Sequence, residues 1–397
     1  MPNKILQISH KPAYPAIDGG CLEIAKMSSF YDREDSISLS IFTIETHKHP
    51  FKKKAFEKNL TGVKEIESIF LKTKISFLQA LLAVFSKKSY NLSRFKNKKV
   101  LDGLIQLLKK NEYDFIQFES IYTAQYAKEL APYTSAKFVI NVPNVEHKLW
   151  SQHAEKAKGF KRIYLNLLAK QLQNEEVAIW KNMDAFICIS GDIETSIDDT
   201  IKATSKIIIP FVINLEKYEP VYANKELSFF HIGAMDWRPN IEGINWLLNS
   251  IWANMNLNSK LQLAGKGDNK LTIDSTFVDY HGFVPNAIEF MTQHDVMLVP
   301  LKSGSGMRIK IIEAMALGKC VISTSLGAEG INCIPGKSIL IANTVQEFTD
   351  AIQSLVTTPE KAHEIGREAR KFIEQNHSLE ILSEKLIPFL STVSNTK

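Results

Sequence analysis

Arg308, Lys310 and Glu313 are the residues whose types and spacing best fit chemistry. They interrupt an otherwise apolar run over residues 308–318, and the segment before them is an apolar stretch, residues 296–300, that ends in Pro300. Between the two lies a turn with Gly304, Ser305, Gly306 and Met307. The order is strand, glycine-rich turn, helix. Glycines let backbone N–H groups approach an anion, and a helix starting there points its positive end at the same place. Lys310 and Glu313 are three apart and share a helix face. Charges on a buried helix need partners. A diphosphate would satisfy Arg308 and Lys310, and a ribose diol would satisfy Glu313. The alternative is an internal Lys–Glu pair capping a buried helix.

The surrounding residues carry a resemblance. Glu313-Ala314-Met315-Ala316-Leu317-Gly318-Lys319-Cys320-Val321-Ile322 resembles the E-A-M-A-x-G-x-P-V-I helix and strand of family-4 glycosyltransferases of the GT-B fold, and the likeness runs on through Thr324, Gly327, Glu329 and Gly330. Upstream, His231-Ile232-Gly233 is similar to that family's first strand and glycine turn of the C-terminal domain. Leu263-Ala264-Gly265-Lys266-Gly267 is similar to its L-x-G-x-G, and Gly282-Phe283-Val284 to its G-x-V segment facing the base. The N-terminal half resembles the family in the P-x-x-G-G loop, here residues 12–20 with Gly19 and Gly20, and in the N-x-E segment Asn144-Val145-Glu146, which brings His147 into view as a candidate catalytic residue.

The resemblance implies two doubly wound Rossmann-like α/β domains facing a central cleft. It also implies sugar transfer from a nucleoside-diphosphate sugar to an acceptor hydroxyl, retaining and without a metal or other cofactor, in surface glycan or polysaccharide synthesis. The donor would meet Gly19, Gly20, Gly233, Gly265, Val284, Gly304, Ser305, Gly306, Met307, Arg308, Lys310 and Glu313. The sequence departs from the family pattern in three places. Ser305 stands where a donor-sugar Glu is usual. Ala234 and Asn240 stand nearest a usual basic pair. Pro143 stands where a catalytic-region His is common. A sugar-nucleotide epimerase, a phosphorylase on the same architecture and a non-catalytic nucleotide-binding homologue are the rival readings. No G-x-x-x-x-G-K-[ST] loop, Asp-x-Asp pair, G-x-S-x-G elbow or metal-spaced His/Cys/Asp cluster occurs.

The elements that must position these residues are legible in the apolar runs. Buried strands are expected at residues 4–9, 37–43, 115–118, 138–141, 185–190 and 206–209, with helices at 22–30 and 160–181 and a mostly helical stretch at 66–108. After a loosened connection at 210–224, strands are expected at 228–233, 261–265, 279–283, 296–300 and 320–324. The expected helices there are 241–252, 287–292, 308–317, 346–375 and 379–392. Strands alternating with helices predict parallel sheets. The expected domains are residues 1–212 on the acceptor side, 213–378 for the donor, and a C-terminal helix, 379–397, packing back on the N-terminal domain.

Bulk properties narrow the partners. With 397 residues, 45% of them hydrophobic, the chain is expected to form two globular domains. The net charge is +5, and residues 51–100 alone hold 13 basic against 3 acidic residues. Such a block fits an anionic partner. Lysines flank the apolar residues Phe77, Leu78, Leu81, Leu82 and Phe85, which leaves two readings open: a peripheral membrane contact through residues 51–100, or packing of these residues into the N-terminal core beneath a solvated basic face. The expected partners are a nucleotide-sugar donor and a glycan or lipid-linked glycan acceptor, with no nucleic acid. Cys21, Cys188, Cys320 and Cys333 form no CxxC pair, and with no apolar run long enough to span a bilayer the expected location is cytoplasmic, at the inner face of the cell membrane.

Overall fold

The computed structural model describes residues 2–73, 88–201, 205–222, 226–255, 257, 259–267, 276–304 and 306–395. The chain divides into two units, Met1–Phe211 with Leu382–Lys397, and Val212–Ile381.

The first unit is built on strands β1 (Asn3–Ser9), β2 (Ile37–Glu45), β3 (Glu65–Phe70), β4 (Phe115–Phe118), β5 (Lys137–Val142), β6 (Ala185–Cys188) and β7 (Lys206–Ile208). They form one parallel sheet in the order β3-β2-β1-β4-β5-β6-β7. Parallel strands are covered on both faces, which is why β1, β4, β5 and β6 read as near-continuous apolar runs. Ile5, Leu6, Ile116, Phe118, Ile140 and Phe186 are at most 1% exposed. One polar patch crosses this core. Gln7, Gln117 and Asn141 each donate to the buried Glu119 carboxylate, at 2.6, 2.7 and 3.0 Å.

Two expectations in this unit need correction. Residues 66–70 fall in the stretch expected to be mostly helical, but they belong to the edge strand Glu65–Phe70, paired with β2. It is only half-buried, so its alternation carries little apolar signal. Residues 98–110 are helical, while residues 74–87, with Phe77, Leu78, Leu81, Leu82, Phe85 and Lys87, lie outside the described residues. Gly19 and Gly20 were expected in a loop, but they are the first turn of the helix Gly19–Arg33. Asp18 caps that helix by accepting from the Cys21 N–H at 2.9 Å, the usual role of an Asp placed just before the first turn.

The second unit carries β8 (Phe229–Ile232), β9 (Leu261–Ala264), β10 (Val278–Tyr280), β11 (Val296–Val299), β12 (Cys320–Ser323) and β13 (Leu340–Ile341) in the parallel order β10-β9-β8-β11-β12-β13. Helices Arg238–Ser250, Val345–Thr357 and Glu360–Asn376 cover it, and Leu247, Leu263, Leu298, Ile322, Phe348 and Ile352 close the core. In each sheet the strand order reverses direction once, between β1 and β4 in the first and between β8 and β11 in the second. Open α/β sheets bind ligands beyond the carboxyl ends of the strands at that switch point. Gly233 and Pro300 follow β8 and β11 directly.

Candidate donor site at the end of strands β8 and β11

The helix Ile309–Ala316 begins one residue later than the sequence suggests, with Arg308 at the N-cap and no side chain capping the turn. Gly304 and Gly306 in the preceding loop have φ of +105° and +88°. Only glycine adopts such values without strain. At Gly304 a Cβ would also lie 2.9 Å from Trp237 Cη2, so the Trp237 ring covers the loop. The loop is tied down on both sides. Ser303 donates to Glu242 at 2.9 Å, and Thr324 donates to the Leu301 carbonyl at 2.6 Å. Ser305 lies outside the described residues.

Arg308 is 5% exposed, and its Nε and Nη2 have no hydrogen-bond partner among the described residues. Its guanidinium sits 5.7 Å from the Trp237 ring centre. Burial pushes its pKa down, with Glu329 opposing the shift. A buried guanidinium with two unused donors is costly unless an anion meets it.

Lys310 is the second residue of the helix, in its first turn. Its ammonium donates to Asn240 Oδ1 at 3.1 Å and to His231 Nε2 at 3.2 Å. The tautomer follows from the other ring nitrogen. His231 Nδ1 is 2.7 Å from the Leu298 carbonyl, which only accepts, so Nδ1 carries the proton and Nε2 is an acceptor. His231 is fully buried, and burial with the nearby Lys310 charge holds its pKa well below the ordinary value. Both of these Lys310 partners are therefore neutral. Burial and the Arg308 charge bring the Lys310 pKa down to about 7. Gly233 leaves room for this arrangement, since a Cβ there would be 2.9 Å from Lys310 Nζ and 2.7 Å from Asn240 Nδ2.

Glu313 lies on the same helix, and burial raises its pKa. The Tyr218 hydroxyl donates to Glu313 Oε1 at 2.8 Å, so the internal Lys310–Glu313 pair that the spacing allowed is not the arrangement found. Tyr218 is itself held, because Arg370 Nη1 donates to the carbonyls of Tyr218 and Ala316, both at 2.7 Å. Gly265 follows β9 with φ of +147°, and its N–H donates to the Gly282 carbonyl at 2.7 Å, which places Val284, half-buried, just beyond. Met307 is half-buried beside Arg308.

Gly19, Gly20 and His147 belong to the first unit. At Gly20 a Cβ would collide with Lys11, whose ammonium is 2.8 Å from Asp18. His147 is the second residue of the helix Glu146–Glu155, and its Nδ1 is 2.6 Å from the fully buried Glu176 carboxylate. Glu176 also accepts from the Glu146 and His147 backbone N–H groups at 3.0 and 3.2 Å. This geometry makes His147 an anchor of the helix start. The neighbouring Glu146 is the titratable group that the sequence left unassigned. Burial and the charge of Glu176 raise its pKa to about 7, and Tyr122 donates to it at 3.1 Å. Asp18, Cys21 and His49 present ligand atoms within 4.8 Å of one another. The Asp18 carboxylate there already holds Lys11, His49 and the Cys21 N–H.

Tyr218, His231 and Asn240 are the functional neighbours that sequence reasoning missed. The signal for His231 was a histidine at the centre of an apolar strand. Tyr218 sits in the connecting segment and gave no signal.

Residues 226–358 match the family model described as Glycosyl transferases group 1. A Klebsiella pneumoniae protein described as an uncharacterized 44.6 kDa protein in the cps region is 24% identical over 304 residues, 69% of this chain and 72% of that protein. Among solved structures, the sucrose-phosphate synthase of Thermosynechococcus elongatus aligns with a TM-score of 0.70 at 16% identity, covering 98% of this chain and 99% of that one. Anabaena HepE in complex with UDP and glucose aligns with a TM-score of 0.67 at 14% identity, covering 98% and 100%. With a group 1 domain in its second unit and the two parallel-sheet α/β domains of the GT-B fold, the chain is a glycosyltransferase.

Proposed function

We propose that the chain transfers a sugar from a nucleoside-diphosphate sugar to a hydroxyl of a glycan or lipid-linked glycan acceptor, with retention and without a metal, in surface-glycan synthesis. The observation that carries this reading is the pair of underused cations at the end of β8 and β11. Among the described residues, Arg308 has two buried N–H groups without a partner, and Lys310 meets the neutral acceptors His231 and Asn240. Both stand at the start of a helix that no side chain caps. A diphosphate supplies the missing charge, and the same groups stabilise it as it departs. Glu313, held by Tyr218, is placed three residues on to take a ribose diol. HepE is a structural neighbour whose complex contains UDP and glucose, which supports a uridine donor. The relative from a cps region supports a glycan product.

The acceptor belongs to the first unit on this reading, and the protein works at the inner face of a membrane. No helix among the described residues is long and apolar enough to cross one.

The test is a thermal-shift screen of UDP and GDP sugars, followed by donor hydrolysis in excess EDTA. A ligand at 100 times its Kd should add about 2.7 kcal/mol of stability. Arg308→Ala should abolish the shift. Reversible loss of all turnover on chelation would overturn the metal-free part, and a shift retained in Arg308→Ala would overturn the site.

A further inference from the structure

The helix Gly159–Trp180 buries one face and leaves another unpartnered. Leu165, Leu168, Ala169 and Leu172 are buried in the first unit. Phe160 and Ile163 lie about 160° around the helix from them, at roughly 100° per residue. Phe160 is 92% exposed and Ile163 is 68% exposed. Half-buried Leu167 continues the stripe at the i, i+3, i+7 spacing. Most large apolar side chains exposed on this protein stand near 40–50%, so a nearly bare Phe beside a bare Ile is unusual for it. The flanks are basic. Lys156, Lys158, Lys161 and Arg162 are all exposed around the stripe, Lys170 lies further along, and Glu155 is the one acidic residue among residues 155–163. Gly159, at φ of +57°, sets the turn that projects Phe160 from the helix start.

We propose that this helix start, residues 156–163, is the surface by which the protein docks on an anionic bilayer, with Phe160 and Ile163 entering the interface and the four cations on the headgroups. This rests on the reading of the acceptor as membrane-borne, and it assigns the contact to a surface other than residues 51–100. The charge pattern selects the occupant. An apolar stripe ringed by cations with long, flexible stems matches acyl chains beneath anionic headgroups. Protein interfaces, by contrast, are typically depleted of lysine.

The experiment is co-sedimentation of the full chain with vesicles of phosphatidylcholine alone and of phosphatidylcholine with phosphatidylglycerol, at low and high salt. Wild type should pellet with the anionic vesicles and be released by salt. Phe160→Ser with Ile163→Ser should lower the partition coefficient by about tenfold or more. Replacing Lys156, Lys158, Lys161 and Arg162 by Gln should weaken binding and flatten its salt dependence. Thermal melting and the donor-induced shift should be unchanged in both variants, since none of these residues lies at the donor site. Three results would overturn the assignment. The first is equal pelleting with both vesicle types. The second is wild-type binding by the Ser variant. The third is loss of binding only when Lys88, Lys98 and Lys99 are neutralised. A shift from dimer to monomer in the Ser variant with vesicle binding intact would show a self-association face and would also sink it. Each of these leaves the donor shift, and with it the transferase reading, to stand or fall separately.

Discussion

The Tyr218 hydroxyl donates to the Glu313 carboxylate at 2.8 Å, so a residue near the start of the second unit sets the position of the group assigned to the donor ribose. Glu313→Ala removes that group. A hydrogen bond to a charged group is worth about 1.5–3 kcal/mol, so nucleotide affinity should fall by about tenfold or more. Tyr218→Phe leaves the carboxylate present but unoriented. Its loss of affinity should be smaller, in the range of about two- to tenfold, because one neutral-donor bond is removed and the ribose contact survives. Isothermal titration with the nucleoside diphosphate checks both. Equal affinity in Glu313→Ala and wild type would show that the ribose is held elsewhere.

Lys310 predicts how donor affinity depends on pH. Burial and Arg308 bring its pKa to about 7 in the unliganded protein, below the ordinary value of 10.5. An anionic donor favours the charged form, so binding takes up a proton wherever free Lys310 is neutral. Affinity should therefore be level below pH 7 and fall above it, by a factor approaching tenfold per pH unit for a single linked proton. His231 does not contribute, because its pKa is held well below this window and it stays neutral. Stability runs the other way. The folded state binds fewer protons than the unfolded one between about pH 7 and 10.5, so the cost of the buried ammonium is greatest below pH 7 and is relieved as pH rises. Lys319, lowered to about 8 by burial, adds a stability slope of the same sign but lies on the strand side, bonded to the Thr292 carbonyl. Lys310→Met should abolish the slope in donor affinity and leave the Lys319 contribution to stability. A pH-independent Kd in wild type between pH 6 and 9 would refute the linkage.

The sheets were legible because strands buried on both faces are continuous apolar runs, as in Val296–Val299 and Cys320–Ser323, and the glycine turns after them carry their own signature. Edge strand Glu65–Phe70 was not, because two glutamates and a serine interrupt its apolar residues and its burial is partial throughout. Arg308, Lys310 and Glu313 were visible as the charges on an apolar helix. Their partners were not, because Tyr218 and Asn240 are brought to them by tertiary structure alone, across 95 and 70 residues of chain. The two-glycine segment after Asp18 misled for a local reason. Gly20 is required by the close passage of Lys11 and does not mark the end of a loop.

Two glycines separate function from folding. Gly233→Ala places a methyl group 2.9 Å from Lys310 Nζ and 2.7 Å from Asn240 Nδ2, both ends of side chains that can shift. Donor affinity should fall while the melting temperature changes little. Gly265→Ala instead puts the methyl group 1.7 Å from the Gly233 carbonyl oxygen, which is backbone, at a φ of +147°. That should cost about 3 kcal/mol or more, as strain at a special backbone position does, and reduce the yield of folded protein. Thermal melts of the two variants decide it. A Gly265→Ala protein as stable as wild type would show that the β9 turn relaxes freely.

His147 is the last test, because its type and position first suggested catalysis while its geometry describes an anchor. Its Nδ1 is 2.6 Å from Glu176, which is fully buried and otherwise holds the Glu146 and His147 N–H groups. His147→Ala strips one partner from that carboxylate and opens space beside it. Leaving a buried acceptor short of a donor costs about 1–3 kcal/mol, so the first unit should melt earlier. Glu176→Gln keeps the shape and a carbonyl oxygen to accept, and should cost less. Donor hydrolysis at a temperature where both variants are folded should stay within about threefold of wild type, well short of the hundredfold or more that a lost general acid or base produces. A hundredfold loss of hydrolysis in a stably folded His147→Ala protein, with Glu176→Gln unaffected, would return His147 to the chemistry.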